Sequence, residues 1–291
     1  MAGMHVTVVG AAGKMGTWFT KYFLKQKHKV FVHDTDKGGL KKLTRLGAMI
    51  VDDLKFTIMN SDVVVLCVPI NAMKRVMLQV SKYMMIDAML VEISSIKHEA
   101  HKTLFEVAHL YKLQQICIHP LFGPGATGIK GMKVALTTVF DANTELKNAK
   151  KLFGGASFVT VEVDQHDKIV AVVLGLTHLT NAIFARILAD EDDLDRFNEV
   201  TGTTYKLQSL LTESIMNDDA DLFTSLIMSN SYTRRYARSL LNATQQMCNY
   251  IINENPKGLS NAYIKTKEKL GKQVNLERSY ETMYEVLKNL R

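Results

Sequence analysis

The residues of this chain best suited to chemistry are a histidine and a glycine-rich turn. His119 stands in the run His-Pro-Leu-Phe-Gly-Pro at 119–124, and an imidazole, with an ordinary pKa of about 6.5, is a base available near neutral pH. Roughly a hundred residues earlier, Gly10-Ala-Ala-Gly13-Lys14-Met15-Gly16 follows a short apolar run. Small residues let the chain turn sharply there, so that backbone N–H groups approach a pyrophosphate at the positive end of the following helix. Gly16 also permits close packing of that helix on the strand. A dinucleotide beside a base is a redox pairing, in which a nicotinamide takes a hydride while the imidazole takes a hydroxyl proton.

The surrounding residues sharpen both halves of that pairing. A strict G-x-G-x-x-G would put its first glycine at position 11, where this chain has Ala11, and Gly10 lies one residue earlier. Asp34 comes 18 residues after Gly16, at the end of the next strand-like run. This is the spacing of an acid that accepts hydrogen bonds from a ribose diol and repels a 2′-phosphate, so NAD is expected over NADP, with Asp36 as the rival acid. Val68 and Pro69 close a strongly apolar run and belong at the carboxyl edge of a sheet, where such cofactors bind. Three runs are expected at that edge: Glu92-Ile-Ser-Ser95-Ile-Lys97, His119 to Pro124, and His178. Plainer roles stand beside these. Ser94 and Ser95 suit a helix cap, Lys97 a solvated surface, and His178 a satisfied core position.

The elements that must hold these residues alternate through the first half. Strands are expected at His5–Val9, Lys29–His33, Met49–Val51, Val63–Val68, Met89–Ile93, Gln115–Ile118, Lys133–Thr138 and Phe158–Val161. Helices are expected at Lys14–Lys25, Lys37–Leu46, Ala72–Met84, Glu99–Leu110 and Thr144–Leu152. β-branched runs unbroken by polar residues argue a parallel sheet covered on both faces. After about Gln165 the pattern is helical: 169–188, Gly202–Asn217, Ala220–Asn253 in two pieces, Asn261–Lys269 and Leu276–Leu290, with Pro256-Lys-Gly258 as a break. The expected fold class is α/β, a Rossmann-type doubly wound, mostly parallel sheet at 1–164, followed by an all-α domain at 165–291.

Composition excludes several function classes. The net charge of +7 is spread among acids with no dense basic block and a single Trp, so nucleic acid is not an expected partner. Cys67, Cys117 and Cys248 are widely spaced, which supports neither a disulfide framework nor a zinc site and points to a reducing cytoplasm. Strand character from His5 leaves no room for a secretory signal. Residues 169–188 have the length of a bilayer span, but His178, Asn181 and Arg186 interrupt it. A helix buried on most faces, within a domain or a dimer, is expected instead of a membrane segment.

With the glycine turn, Ser95-Ile-Lys97, His-Pro-Leu-Phe-Gly-Pro, and His166-Asp167 followed by His178, the chain resembles the prephenate dehydrogenase family, most closely the kind fused to chorismate mutase. The resemblance reaches to about Met228, and the His-Pro-x-Phe-Gly-Pro run is its specific element. It implies NAD-dependent oxidative decarboxylation of prephenate to 4-hydroxyphenylpyruvate in tyrosine biosynthesis, with arogenate as the alternative substrate. It also implies His119 as proton acceptor, Ser95 beside the reacting hydroxyl, and His178, Lys97 and Lys206 around the substrate. Gly10, Gly13, Lys14, Met15, Gly16, Asp34, Val68 and Pro69 fall to the cofactor. No metal is implied, and a homodimer through the helical domain is expected. The family holds the ring carboxylate with an arginine after a Tyr-Arg pair. Here the pair reads Tyr205-Lys206 and the arginine position falls on Ser214, leaving Lys206, Arg186, Arg234 and Arg235 as substitutes. That departure keeps a related β-hydroxy-acid or imine oxidoreductase in view. A dinucleotide sensor without catalysis would need no His119.

Overall fold

Short apolar runs form the centre of an eight-stranded sheet. In the computed structural model, which describes residues 3–51 and 53–288, the strands are β1 (His5–Val9), β2 (Lys29–His33), β3 (Met49–Ile50), β4 (Val63–Leu66), β5 (Met89–Glu92), β6 (Gln114–Pro120), β7 (Lys133–Leu136) and β8 (Ser157–Thr160). Their order is β3-β2-β1-β4-β5-β6-β7-β8. All neighbours are parallel except β6 and β7. β4 is Val-Val-Val-Leu with every residue buried, as a strand covered on both faces requires.

Helices α1 (Lys14–Lys25), α2 (Lys37–Thr44), α3 (Leu54–Met59), α4 (Ile70–Ser81), α5 (His98–Tyr111) and α6 (Ala142–Leu152) connect these strands. One apolar cluster gathers Trp18, Phe19 and Phe23 of α1 with Phe153 after α6. A second gathers Met73 and Met77 of α4 with Leu104 and Val107 of α5. After β1 the chain builds β2 and β3 to one side, and β4 then starts the other side. The carboxyl ends of β1 and β4 therefore flank the reversal in strand order, where open α/β sheets bind ligands. In register, Val9 lies opposite Leu66, Leu66 opposite Glu92, and Glu92 opposite Cys117. The strand ends thus fall in a row, and β6 alone runs on to His119 and Pro120.

The remaining helices are α7 (Val163–Val170), a π-helical turn at Ala171–Leu176, α8 (Thr177–Leu188), α9 (Leu194–Glu199), α10 (Thr203–Met216), α11 (Ala220–Met228), α12 (Thr233–Ile252), α13 (Pro256–Gly271) and α14 (Leu276–Lys288). The chain divides into two compact units. The first takes in residues up to Ala171 together with Thr224–Asn230, and the second runs over Val172–Phe223 and from Ser231 onward.

Several details depart from the sequence pattern. α3 and α9 are additional; each has six residues, too short for periodicity to show, and each is marked by an aspartate cap, Asp53 on Phe56 N and Asp193 on Arg196 N. Pro256 opens a helix where a break was expected, as the first-turn proline of α13 behind the Asn255 cap. The interruption lies just before it, where Glu254 has a φ of 48°. The expected end of the last helix at Leu290 lies outside the described residues. The helical run Val163–Leu188 is long and apolar enough to cross a membrane by length and composition, yet only 22% of its most apolar window is buried. The expectation that this helix is buried on most faces within the domain is therefore corrected for a single copy. Val173, Ile183 and Ile187 are exposed.

Candidate active site

The glycine turn is shaped by close backbone approach. Gly10 has a φ of +82°, and a Cβ there would lie 2.5 Å from the Cys67 carbonyl oxygen. At Gly16 a Cβ would lie 2.0 Å from the Gly10 carbonyl oxygen. Gly13 is different: the nearest atom to a Cβ there is the Gly10 carbonyl oxygen at 3.5 Å, an ordinary van der Waals contact that a methyl group would tolerate. Gly13 caps α1 with no side chain to bond its first turn, at the end of the helix where anions bind. Lys14 and Met15 begin the helix, with Met15 packed on the first cluster. Val68 packs on the second cluster, and Pro69 caps α4.

Asp34 follows β2 and faces this turn. Its carboxylate accepts hydrogen bonds from Ala12 N and Asp36 N, both at 2.9 Å. Asp36 caps α2 through Gly39 N, so of the two candidate acids it is Asp34 that meets the turn. A helix start without a side-chain cap, a cradle that only glycine fits, and a carboxylate beside it match the needs of a dinucleotide.

A second cluster sits at the carboxyl ends of β5 and β6. Glu92 ends an otherwise apolar strand and is wholly buried, as is Lys97. The Lys97 ammonium donates to Glu92 Oε2 at 2.6 Å and to the Ile118 carbonyl at 2.5 Å. Glu92 also accepts from Ser94 N and, at 3.3 Å, from the Cys117 thiol. Burial pushes that thiol up to about 12. Direct substrate binding by Lys97, expected from the resemblance, is not what the structure shows: its charge is enclosed and spent on an ion pair. Ser95 is half-buried in the bend between β5 and α5, and Ser94 Oγ donates to the Ile96 carbonyl.

His119 is 5% exposed, and its Nδ1 lies 3.1 Å from His166 Nε2. His166 Nδ1 lies 2.8 Å from Asp167 Oδ1. Asp167 also accepts from Lys97 N and His98 N at 2.9 Å each, and its own carbonyl accepts from Asn230 Nδ2. His119 is held well below the usual histidine pKa by burial first, then by the charge of Lys97 and by His166. For Asp167, burial opposes ionisation, but the bonds from His166 and the two amides outweigh it and the pKa is lowered. Beyond His119, Leu121 is exposed and Phe122 packs on Trp18 with ring centroids 5.0 Å apart.

The other expected substrate residues belong to the second unit. His178 follows the π-helical turn and donates from Nδ1 to the Leu174 carbonyl at 2.8 Å, which makes Nε2 its acceptor nitrogen. Lys206 is exposed on α10, and Ser214, also exposed, donates to the Leu211 carbonyl. Arg186, Arg234 and Arg235 are exposed as well. The sequence reading assigned no role to Glu92, His166 or Asp167. A lone acid closing an apolar strand signals a buried partner, and an acid beside a histidine signals an orienting pair. Among the described residues, no group of three or more His, Cys, Asp or Glu is placed to hold a metal ion.

Residues 21–152 match the family model described as prephenate dehydrogenase, nucleotide-binding domain. The match takes in Asp34, Ser95, Lys97 and His119 and begins beyond the glycine turn. The chain is similar to a probable arogenate/prephenate dehydrogenase of Methanocaldococcus jannaschii, 25% identical over 264 residues that make up 88% of this chain and 58% of that protein. It therefore spans less than two thirds of that relative's length. It shares its fold with a prephenate dehydrogenase from A. aeolicus in complex with hydroxyphenyl propionate and NAD+, at 18% identity and a TM-score of 0.72, covering 94% of this chain and 99% of the other. Synechocystis arogenate dehydrogenase, at 17% identity and a TM-score of 0.66, covers 93% of this chain and 100% of its own.

Proposed function

We propose, from the premise that residues 21–152 belong to the prephenate dehydrogenase family, that this chain is an NAD-dependent dehydrogenase converting prephenate to 4-hydroxyphenylpyruvate, with arogenate as the alternative substrate. The observation that carries the reading is His119, a buried imidazole kept neutral at the end of β6, in the same unit as a turn fit for a dinucleotide. Gly10, Gly13, Gly16 and the first amides of α1 would hold the pyrophosphate and Asp34 the adenosine ribose diol. The bound nicotinamide supplies the hydride acceptor.

This chain's own residues supply the rest. His119 Nε2 accepts the proton of the ring hydroxyl as the carbon bearing it is oxidised, and the ring carboxylate leaves as carbon dioxide because the product is aromatic. A neutral base is needed for that step, and burial beside the Lys97 ammonium keeps His119 from taking a proton from water. Ser95, in the bend after β5, is the proposed hydrogen-bond partner of the same hydroxyl. His178, through Nε2, and Lys206 are the proposed substrate contacts of the helical unit. Exposed Val173, Ile183 and Ile187 support a homodimer through that unit, and three unpaired cysteines support a reducing, cytoplasmic setting.

Adding prephenate and NAD to the purified chain is expected to produce NADH absorbance, with arogenate and NADP tested in parallel. His119→Asn is expected to lower kcat on the order of 10³-fold or more while leaving NAD affinity nearly unchanged. No NADH from either substrate overturns the reading, and faster turnover with NADP overturns the role of Asp34.

A further inference from the structure

We propose that His166 and Asp167 are positioning residues that hold His119 in a single tautomer, with its proton on Nδ1 and its lone pair on Nε2. The order of donors follows from one end of the chain of contacts. An ionised carboxylate only accepts, so the 2.8 Å contact with Asp167 Oδ1 puts a proton on His166 Nδ1. Where His166 carries that one proton alone, its Nε2 is bare, and the 3.1 Å contact makes His119 Nδ1 the donor to it. His119 is left with Nε2 as its one basic nitrogen.

Asp167 is built to stay ionised. Its two oxygens take the amides of Lys97 and His98, where α5 begins, so the carboxylate closes the positive end of a 14-residue helix. The groups around the imidazoles agree. From the segment leading into α5, the Lys97 ammonium disfavours a second proton on His119. From β5, Glu92 faces Lys97 rather than the imidazoles. From β6, the Cys117 thiol donates to Glu92 and stays protonated. On α7, Asp164 lies toward the exposed ring of His98, at 3.8 Å, on the outer side. One carboxylate therefore ties a helix start, a histidine orientation and a strand end together. The inference rests on the proposed role of His119 only for its effect on turnover, because the tautomer exists without substrate.

The test reads the tautomer directly. In the full chain labelled with ¹⁵N-histidine, the ring nitrogens are followed by long-range ¹H–¹⁵N correlation, with His119 assigned by its loss in His119→Asn. The native chain is expected to show His119 protonated at Nδ1 and bare at Nε2. Asp167→Leu removes the acceptor of His166 Nδ1–H, so the relay no longer fixes the His119 proton and Nε2–H is expected to appear. The matching loss in kcat is on the order of 10³–10⁴-fold with KM little changed, as for a catalytic histidine left in the wrong tautomer. His166→Gln keeps an acceptor carbonyl facing His119 and is expected to retain Nδ1–H and most turnover, whereas His166→Phe loses both.

A native His119 protonated at Nε2 overturns the proposal. So does a tautomer that ignores Asp167→Leu in a variant with a native amide spectrum. If Asp167→Leu does not fold, the two His166 variants decide, and equal turnover and equal His119 spectra in both overturn the relay. A chain inert toward prephenate and arogenate that still shows the expected tautomers sinks the proposed activity and leaves the relay standing.

Discussion

The two units treat charge in opposite ways. In the α/β unit, Glu92, Lys97 and Asp167 are buried and each is fully engaged: an ion pair, backbone carbonyls and amides, a histidine. In the helical unit the buried polar network is neutral. Asn181 accepts from Gln208 and Thr212 and donates to the Thr177 carbonyl, while Arg186, Lys206, Arg234 and Arg235 point to solvent. A charge removed from water must find partners at once, so the first unit's cluster is rigid by necessity. The second unit's cations carry no such constraint and remain available to an anion. The first unit's buried charges are committed to internal partners, and the second unit's exposed cations are not.

Substitutions in both units test that contrast, in order of expected effect. Lys97→Met leaves the Glu92 carboxylate buried without its cation, and urea unfolding is expected to show a loss of about 3–5 kcal/mol. Glu92→Gln added to it should restore much of that loss, since the orphaned charge is gone. Next, Gly16→Ala drives a Cβ into the Gly10 carbonyl and is expected to cost about 2 kcal/mol or more. Gly13→Ala, whose Cβ would meet only an ordinary 3.5 Å contact, should stay within about 1 kcal/mol, the usual helix-terminus scale, and reveal itself in NAD affinity. Smallest in stability is Ser214→Arg, on an exposed face, expected within about 0.5 kcal/mol of the native chain. Its readout is KM, which should fall about tenfold if a guanidinium there meets the ring carboxylate, a gain of about 1.4 kcal/mol. Should Lys97→Met unfold no more easily than Ser214→Arg, the contrast between the units is wrong.

Much of the α/β unit was legible beforehand because its strands are bounded by unlike residues. Val63 to Leu66 is unbroken valine and leucine, and the glycine turn begins where β1 stops. Helix starts were harder. α3 has too few residues for a period and depends on Asp53, and Pro256 looked like a breaker until Asn255 made it a first-turn proline. The candidate site was legible in its parts, His119, Ser95, Lys97 and Asp34, but not in its connections. The resemblance implied Lys97 as a substrate contact, and neighbouring residues in the sequence show no counter-ion for it. Glu92, five residues away, becomes that counter-ion only when β5 and the bend after it turn both side chains inward.

The amino-acid sequence by itself determined where chemistry is possible. It marked a turn that only small residues can make, an acid at ribose spacing, and a histidine at the end of an apolar strand, since steric and solvation constraints act on neighbouring residues and leave local traces. Only the tertiary structure decided how those groups are used. His119 and His166 are 47 residues apart and Lys97 and Asp167 are 70 apart, and hydrogen bonding across such separations leaves no periodic mark. A proton's position on an imidazole depends on which atom lies about 3 Å from each nitrogen, and the fold alone sets that distance.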